Sequence, residues 1–87
     1  MKSILAVCDN EHLGKTFEDG KISFRVSEKF FGGEAVSKEK LRELSKGANA
    51  INAFGNKCTS VLEREGLISE NSVILIDGIK HAQVYKV

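Results

Sequence analysis

Across residues 21–26 apolar and polar positions alternate, with Ile22, Phe24 and Val26 on one parity and Lys21, Ser23 and Arg25 on the other. A period of two marks a half-buried strand, because successive side chains leave opposite faces. Two further runs, Ile4–Cys8 and Val73–Ile76, are apolar at every position. Short continuous runs of this kind read as strands covered on both faces. A short strand is expected at residues 13–17, with Gly14 as a bulge, and a last one at residues 79–87. Asp9-Asn10-Glu11-His12 reads as a polar turn. Two Asp-Gly dipeptides, Asp19-Gly20 and Asp77-Gly78, divide apolar runs. Each is expected at the two central positions of a tight hairpin turn, where φ is positive.

The middle of the chain carries helical spacing. Residues 27–34 look irregular around Gly32-Gly33. Ser37 then offers an N-cap for a helix over residues 38–46, with Val36 and Leu41 as a hydrophobic staple and Leu41 and Leu44 as the buried stripe. Gly47 supplies the stop. A second helix is predicted over residues 48–65, because Ile51, Phe54, Cys58, Val61 and Leu62 fall on one helical face. Gly55 interrupts it at a cost of about 1 kcal/mol relative to Ala, so a break at Gly55-Asn56 is the alternative. The order is three strands, two helices, two strands. It predicts an α+β fold, a two-layer sandwich whose mainly antiparallel sheet carries the helices on one face. The continuously apolar strands require cover on the second face as well. Either the Phe30-Phe31 segment folds over it or two copies pack sheet against sheet as a homodimer.

Composition narrows the class. Eighty-seven residues make a single domain, 1–87, that buries roughly 60–65% of its unfolded surface. With 41% hydrophobic and 29% charged residues, wholesale disorder is excluded. Thirteen basic against twelve acidic residues give a net charge of +1, which argues against a dedicated DNA binder. Five apolar residues before Asp9 are too few for a signal core or a membrane span. A cytoplasmic protein is expected, with Cys8 and Cys58 as free thiols.

Candidate chemistry is sparse. Cys8, Asp9, His12, Glu34, Cys58 and His81 are the ligand types, yet no two cysteines lie at CxxC spacing and the histidines stand 69 residues apart. No metal and no cofactor are expected on that spacing. A cysteine nucleophile needs a lowered pKa and exposure, and the plainer reading is a core thiol with a surface histidine. Phe31-Gly32-Gly33-Glu34 lacks the strand and helix of a dinucleotide fingerprint. Gly55-Asn56-Lys57 would favour an anion if a helix began there. Lys15, Lys21, Arg25, Lys80 and Lys86, with Phe30, Phe31 or Tyr85, could form an RNA platform, against the plainer reading of a solvated strand face.

Taken in order, Leu5-Ala6-Val7-Cys8-Asp9, Leu13-Gly14-Lys15-Thr16-Phe17, Phe31-Gly32-Gly33-Glu34, residues 50–55 and Gly78-Ile79-Lys80-His81-Ala82-Gln83 resemble an archaeal group, domain-of-unknown-function family 424. Phe31 and Lys80 depart from its pattern, which has Tyr and Pro there. The resemblance implies an archaeal cytosolic protein of two-layer α/β build, without an established activity and associated with translation genes. Its motifs point to Cys8, Asp9, Gly14, Lys15, Gly32, Gly33, Glu34, Asn52, Gly55, His81 and Gln83 as candidate binding residues. Loop-edge polar groups on a rigid sheet are where sites are commonly built.

Without a catalytic constellation, the expected function is a non-catalytic binding module for a protein or RNA partner in translation. The alternative is a small enzyme or small-molecule binder using Cys8, Asp9, Glu34 and His81 in one cleft. A third reading is a dimeric structural adaptor.

Overall fold

The computed structural model describes residues 3–33 and 35–85. In chain order they form β1 (Ile4–Cys8), β2 (Thr16–Asp19), β3 (Ile22–Arg25), α1 (Glu28–Phe31), α2 (Lys38–Gly47), β4 (Ala50–Phe54), α3 (Asn56–Arg64), β5 (Val73–Ile76) and β6 (Ile79–Tyr85). Short 3-10 turns over Asn10–His12 and Glu70–Ser72 link the elements. The α+β class is as the sequence implies. No helix among the described residues is long and apolar enough to cross a membrane.

Three predicted elements differ. Residues 27–34, expected to be irregular, hold α1, and the strand expected at residues 13–17 runs Thr16–Asp19. The second helix is replaced, and the break offered at Gly55-Asn56 is where a helix begins. The helix expected over residues 48–65 is a strand, β4, followed by the shorter helix α3. The apparent helical stripe joins residues from opposite faces of a sheet. Ile51 and Ala53 pack with α2 and α3, whereas Phe54 points to the other side. A strand buried on both faces has no period of two to betray it. Gly55, at φ 131°, ends the strand in a conformation that a helix interior does not contain.

β4 is central. The sheet order is β1-β4-β6-β5, with β1 parallel to β4 and the other two pairings antiparallel. The α2 helix begins as its cap predicts, with the Ser37 hydroxyl accepting the Lys40 N–H at 3.1 Å. Leu41 of α2 and Cys58 and Leu62 of α3 cover one face of the sheet.

The second face is covered from within the chain. The β2–β3 hairpin and Phe31 of α1 pack on Phe54 and Ile76, so Phe31 is buried while Phe30 remains 48% exposed. Phe24 stacks on Phe54 at 4.9 Å and meets His81 at a tilt at 4.7 Å, and Phe17 closes the group 5.0 Å from Phe54. Cover stops at one end of this face, where Ile4 is 64% and Tyr85 70% exposed.

The two hairpin turns differ. Asp77 and Gly78 have φ of 52° and 75° between the paired residues Ile76 and Ile79, as expected of a two-residue turn with both centres left-handed. In the first hairpin Asp19 pairs with Ile22, so the central residues are Gly20 and Lys21 rather than Asp19 and Gly20. Only Gly20, at φ 61°, needs the left-handed region. This register sets Phe17 directly opposite Phe24. It also frees the Asp19 carboxylate to accept the Asp77 N–H at 2.9 Å, tying one hairpin to the other.

Replacing Phe24 by Ala should cost about 3 kcal/mol, the loss expected when a packed ring is removed, while Phe30→Ala should cost under about 1 kcal/mol. Urea unfolding followed by circular dichroism checks both values. Equal effects would contradict the assignment of Phe24 to the core and Phe30 to the surface.

Candidate binding cleft at the free edge of the sheet

The site is organised by Asp9, the residue that follows β1. Its N–H continues the ladder to the Phe54 carbonyl at 3.1 Å. Its carboxylate then accepts the N–H groups of Lys57 at 3.0 Å and Cys58 at 2.9 Å. Those are two of the free donors that open every helix. In α3 the N-cap position is Gly55, which has no side chain, so the cap is supplied from another strand. The glycine is required twice over. Its φ of 131° disfavours side chains, and a Cβ there would collide with the Asp9 carboxyl group. The anion expected before Lys57 is thus the protein's own carboxylate, and the external-anion reading of Gly55-Asn56-Lys57 is corrected.

Two thiols flank this carboxylate, and neither is activated. Burial, and secondarily the Asp9 charge, push the Cys58 thiol up to about 12. The same causes raise Cys8. Cys58 sits with its sulfur 3.5 Å from the Phe54 carbonyl and 3.6 Å from that of Gly55. Beside them, ligand atoms of Asp9, Glu11 and His12 lie within 4.8 Å of one another. The 3-10 turn produces this cluster by folding positions one, three and four together, a signal that long-range cysteine and histidine spacing did not register. The Lys57 ammonium already pairs with Glu11 at 3.3 Å. The His12 ring lies edge-on to Phe17 and Phe54 at 5.1 and 5.6 Å.

β1, whose continuous apolar run reads from sequence as a central strand, is an edge strand, its second neighbour replaced by the side chains of α1, α2 and α3 around a cleft. The Ser3 carbonyl accepts from the Ala50 N–H, and the Asp9 N–H donates to Phe54. Alternation in a ladder therefore directs the backbone of residues 3, 5, 7 and 9 at β4. The N–H and C=O groups of Ile4, Ala6 and Cys8 face the other way, where no strand pairs among the described residues. That edge opens into a cleft of about 340 Å³. Phe31 and Gly33 border it on one side, Leu41 and Leu44 of α2 on the other, and Lys57 and Val61 of α3 also line it. Val36, read from sequence as half of a staple, is exposed and faces the same cleft.

The candidate residues divide accordingly. Cys8, Asp9 and Gly33 line the cleft, and Gly55 supports it through Asp9. Gly32 ends α1, where a Cβ would strike the Glu28 carbonyl. Gly14, at φ 81°, and Lys15 bond through their backbones to Val26, and the Lys15 side chain is exposed. Asn52 and Gln83 are cross-strand neighbours on the sheet face that carries the hairpin. Asn52 Oδ1 is buried with no hydrogen-bond partner among the described residues, and Gln83 donates to the Tyr85 hydroxyl at 3.1 Å. Glu34 lies outside the described residues.

His81 belongs to the core. Its Nδ1–H donates to the Ala53 carbonyl at 3.0 Å, and its ring packs on Phe24. β4 separates β1 from β6, which places His81 two strand spacings from Cys8, roughly 10 Å. Of the alternative cleft of Cys8, Asp9, Glu34 and His81, Cys8 and Asp9 line the cleft along β1 and His81 does not. Sequence reasoning missed Leu41, Leu44 and Val61 as site residues, because α2 and α3 meet β1 only through the topology.

Mutual dependence of Asp9 and Gly55 can be measured. Asp9→Ala should cost about 2 kcal/mol through the lost cap, and Gly55→Ala about 3 kcal/mol through backbone conformation and collision. The double variant should be at least 1 kcal/mol less destabilised than the sum, since both changes break one contact. Strict additivity in urea unfolding would refute the shared role.

Burial lowers His81 below its ordinary value of 6.5, outweighing the Ala53 hydrogen bond, which raises it. The unfolded imidazole takes a proton near pH 6.5 and the folded one resists to lower pH. This contribution is therefore whole above pH 6.5 and is lost on acidification through the interval below it. Unfolding free energy measured against pH should fall below 6.5, with a shallower slope in His81→Gln. Identical slopes would remove His81 as the cause.

The chain has a similar fold to an uncharacterized conserved protein from Methanopyrus kandleri, known from a crystal structure, with a TM-score of 0.80 at 26% identity. The match covers 97% of this chain and 81% of that one. Among curated proteins none matches. A family model described as "Protein of unknown function (DUF424)" matches residues 1–87. The chain, with its Asp9-capped helix and open β1 edge, belongs to the DUF424 family.

Proposed function

We propose that this chain is a non-catalytic binding module for a protein partner and that the cleft along β1 is its binding site. The observation that carries the reading is the unpaired edge of β1, whose outward-facing residues Ala6 and Cys8 line an apolar cleft. Pre-formed apolar concavities with a few polar groups are the usual form of a binding site. Chemistry in the same place is disfavoured because the raised thiols of Cys8 and Cys58 remain protonated near neutrality. Of the aromatics an RNA platform would use, Phe31 is committed to the internal packing of the hairpin face, whereas Phe30 and Tyr85 are exposed, so RNA is the reading that the ribonuclease arm of the test addresses. The family resemblance points to a cytoplasmic partner associated with translation.

The test is site-directed photocrosslinking in lysate of the source organism. A benzophenone amino acid in place of Val36, on the cleft, should capture a discrete protein whether or not ribonuclease is present. The same group in place of Arg25, on the hairpin, should not. Capture that requires intact RNA, or that occurs at Arg25 and not at Val36, would refute the reading.

A further inference from the structure

We infer that the cleft takes its partner by strand addition, with an extended acidic–apolar segment pairing its backbone with Ile4–Cys8. This rests on the cleft being the protein-binding site. Three observations define the segment.

The first is the edge itself. Ile4, Ala6 and Cys8 present N–H and C=O groups at the spacing of a parallel or antiparallel neighbour, over roughly 13 Å. Backbone groups placed in an apolar setting need partners, and an added strand satisfies a whole row at once.

The second is access. The other edge strand, β5, is unscreened, with Ile74 and Leu75 both exposed. β1 is instead recessed between Phe31 with Gly33 and Leu41 with Leu44. A second folded copy would bring its own walls against these, which disfavours β1-to-β1 pairing. A single extended chain passes between them. Because both walls are apolar, the inserted strand is covered on both faces and is apolar at consecutive positions rather than alternating.

The third is charge. Among the described residues, the ionisable side chains lining the cleft, apart from the thiols, are Lys38, Lys57 and Asp9. The Asp9 carboxylate is committed to two N–H groups of α3. Lys57 is largely exposed beside Glu11, and Lys38 lies at the start of α2. With Lys57 shared with Glu11, the Lys38 ammonium is the positive group offered at the mouth, and the complementary segment carries Asp or Glu next to its apolar run.

The probe is a displayed library of random twelve-residue peptides, selected on the full chain, with the best binder then synthesised. Expected are enriched sequences with about four consecutive apolar, β-branched residues adjoining Asp or Glu. The amides of Ala6 and Cys8 should slow in hydrogen exchange by at least about tenfold on binding. Ala6→Pro removes an outward N–H without touching the β1–β4 ladder, a position where an edge strand tolerates Pro. It should weaken the peptide at least about tenfold while unfolding at a similar urea concentration, and Lys38→Glu should weaken it several-fold. Failure to select any peptide, binding that leaves the Ala6 and Cys8 amides exchanging as before, or a helical or basic consensus would overturn the proposal. If Ala6→Pro does not fold, the exchange measurement on the unaltered chain decides. A partner captured at Val36 whose binding leaves those amides unprotected retires strand addition alone. Absence of capture at Val36 retires the protein-binding reading beneath it.

Discussion

The contact on which the arrangement depends is the Asp9 carboxylate laid across the start of α3. It is buried, and a buried charge is stable only where donors replace water. Here the two donors are backbone N–H groups of Lys57 and Cys58 at the positive end of a helix, so charge and dipole reinforce each other. The bond joins segments 48 and 49 residues apart. It fixes the end of β1, the exit of β4 and the first turn of α3 as one unit. The position of the free β1 edge follows from it. An edge strand held by one neighbour alone would fray, whereas β1 is pinned just past its end, at Asp9, by a contact outside the ladder.

The fold was readable from sequence where local chemistry acts locally. Ser37 capping α2, Asp77-Gly78 forming its turn, and the alternation of Phe24 and Val26 need only their neighbours along the chain. β4 was unreadable for the opposite reason. Its residues Ile51 and Phe54 happen to sit three apart, and its two buried faces erase the period that identifies strands. Gly55 carried the missing information, but its meaning lay in Asp9, which no local reading connects to it. The shift of the first turn to Gly20-Lys21 has a similar origin. The register there is selected by the match of Phe17 with Phe24 above Phe54, a tertiary preference overriding the stronger dipeptide signal.

For the site, the segments quoted for the family resemblance led to Cys8, Asp9, Gly33 and Gly55, all at or behind the cleft. They also led to His81, whose role is ring packing, and to the Asn52–Gln83 pair on the sheet. What sequence could not supply was the wall opposite, since Leu41, Leu44 and Val61 read as ordinary core positions on amphipathic helices. A helix face tells which side is apolar, not whether a neighbouring strand fills it. Only the sheet order, with β1 outermost, leaves those leucines facing an unpaired edge.

The parallel pairing of β1 with β4 also has a temporal side. Ile4 lies opposite Ala50, 46 positions later in the chain, so the first strand is synthesised long before the neighbour that completes it. At usual elongation rates that interval is roughly two to nine seconds. Pairing across such a separation carries a large loop-closure cost, which places it late in folding, after the local β5–β6 hairpin. Through that interval the nascent chain carries an apolar strand with both edges open, exposed to whatever else in the cell can pair with it. The capping of α3 by Asp9, which requires β1 and β4 together, marks the moment at which that exposure is reduced to a single, recessed edge.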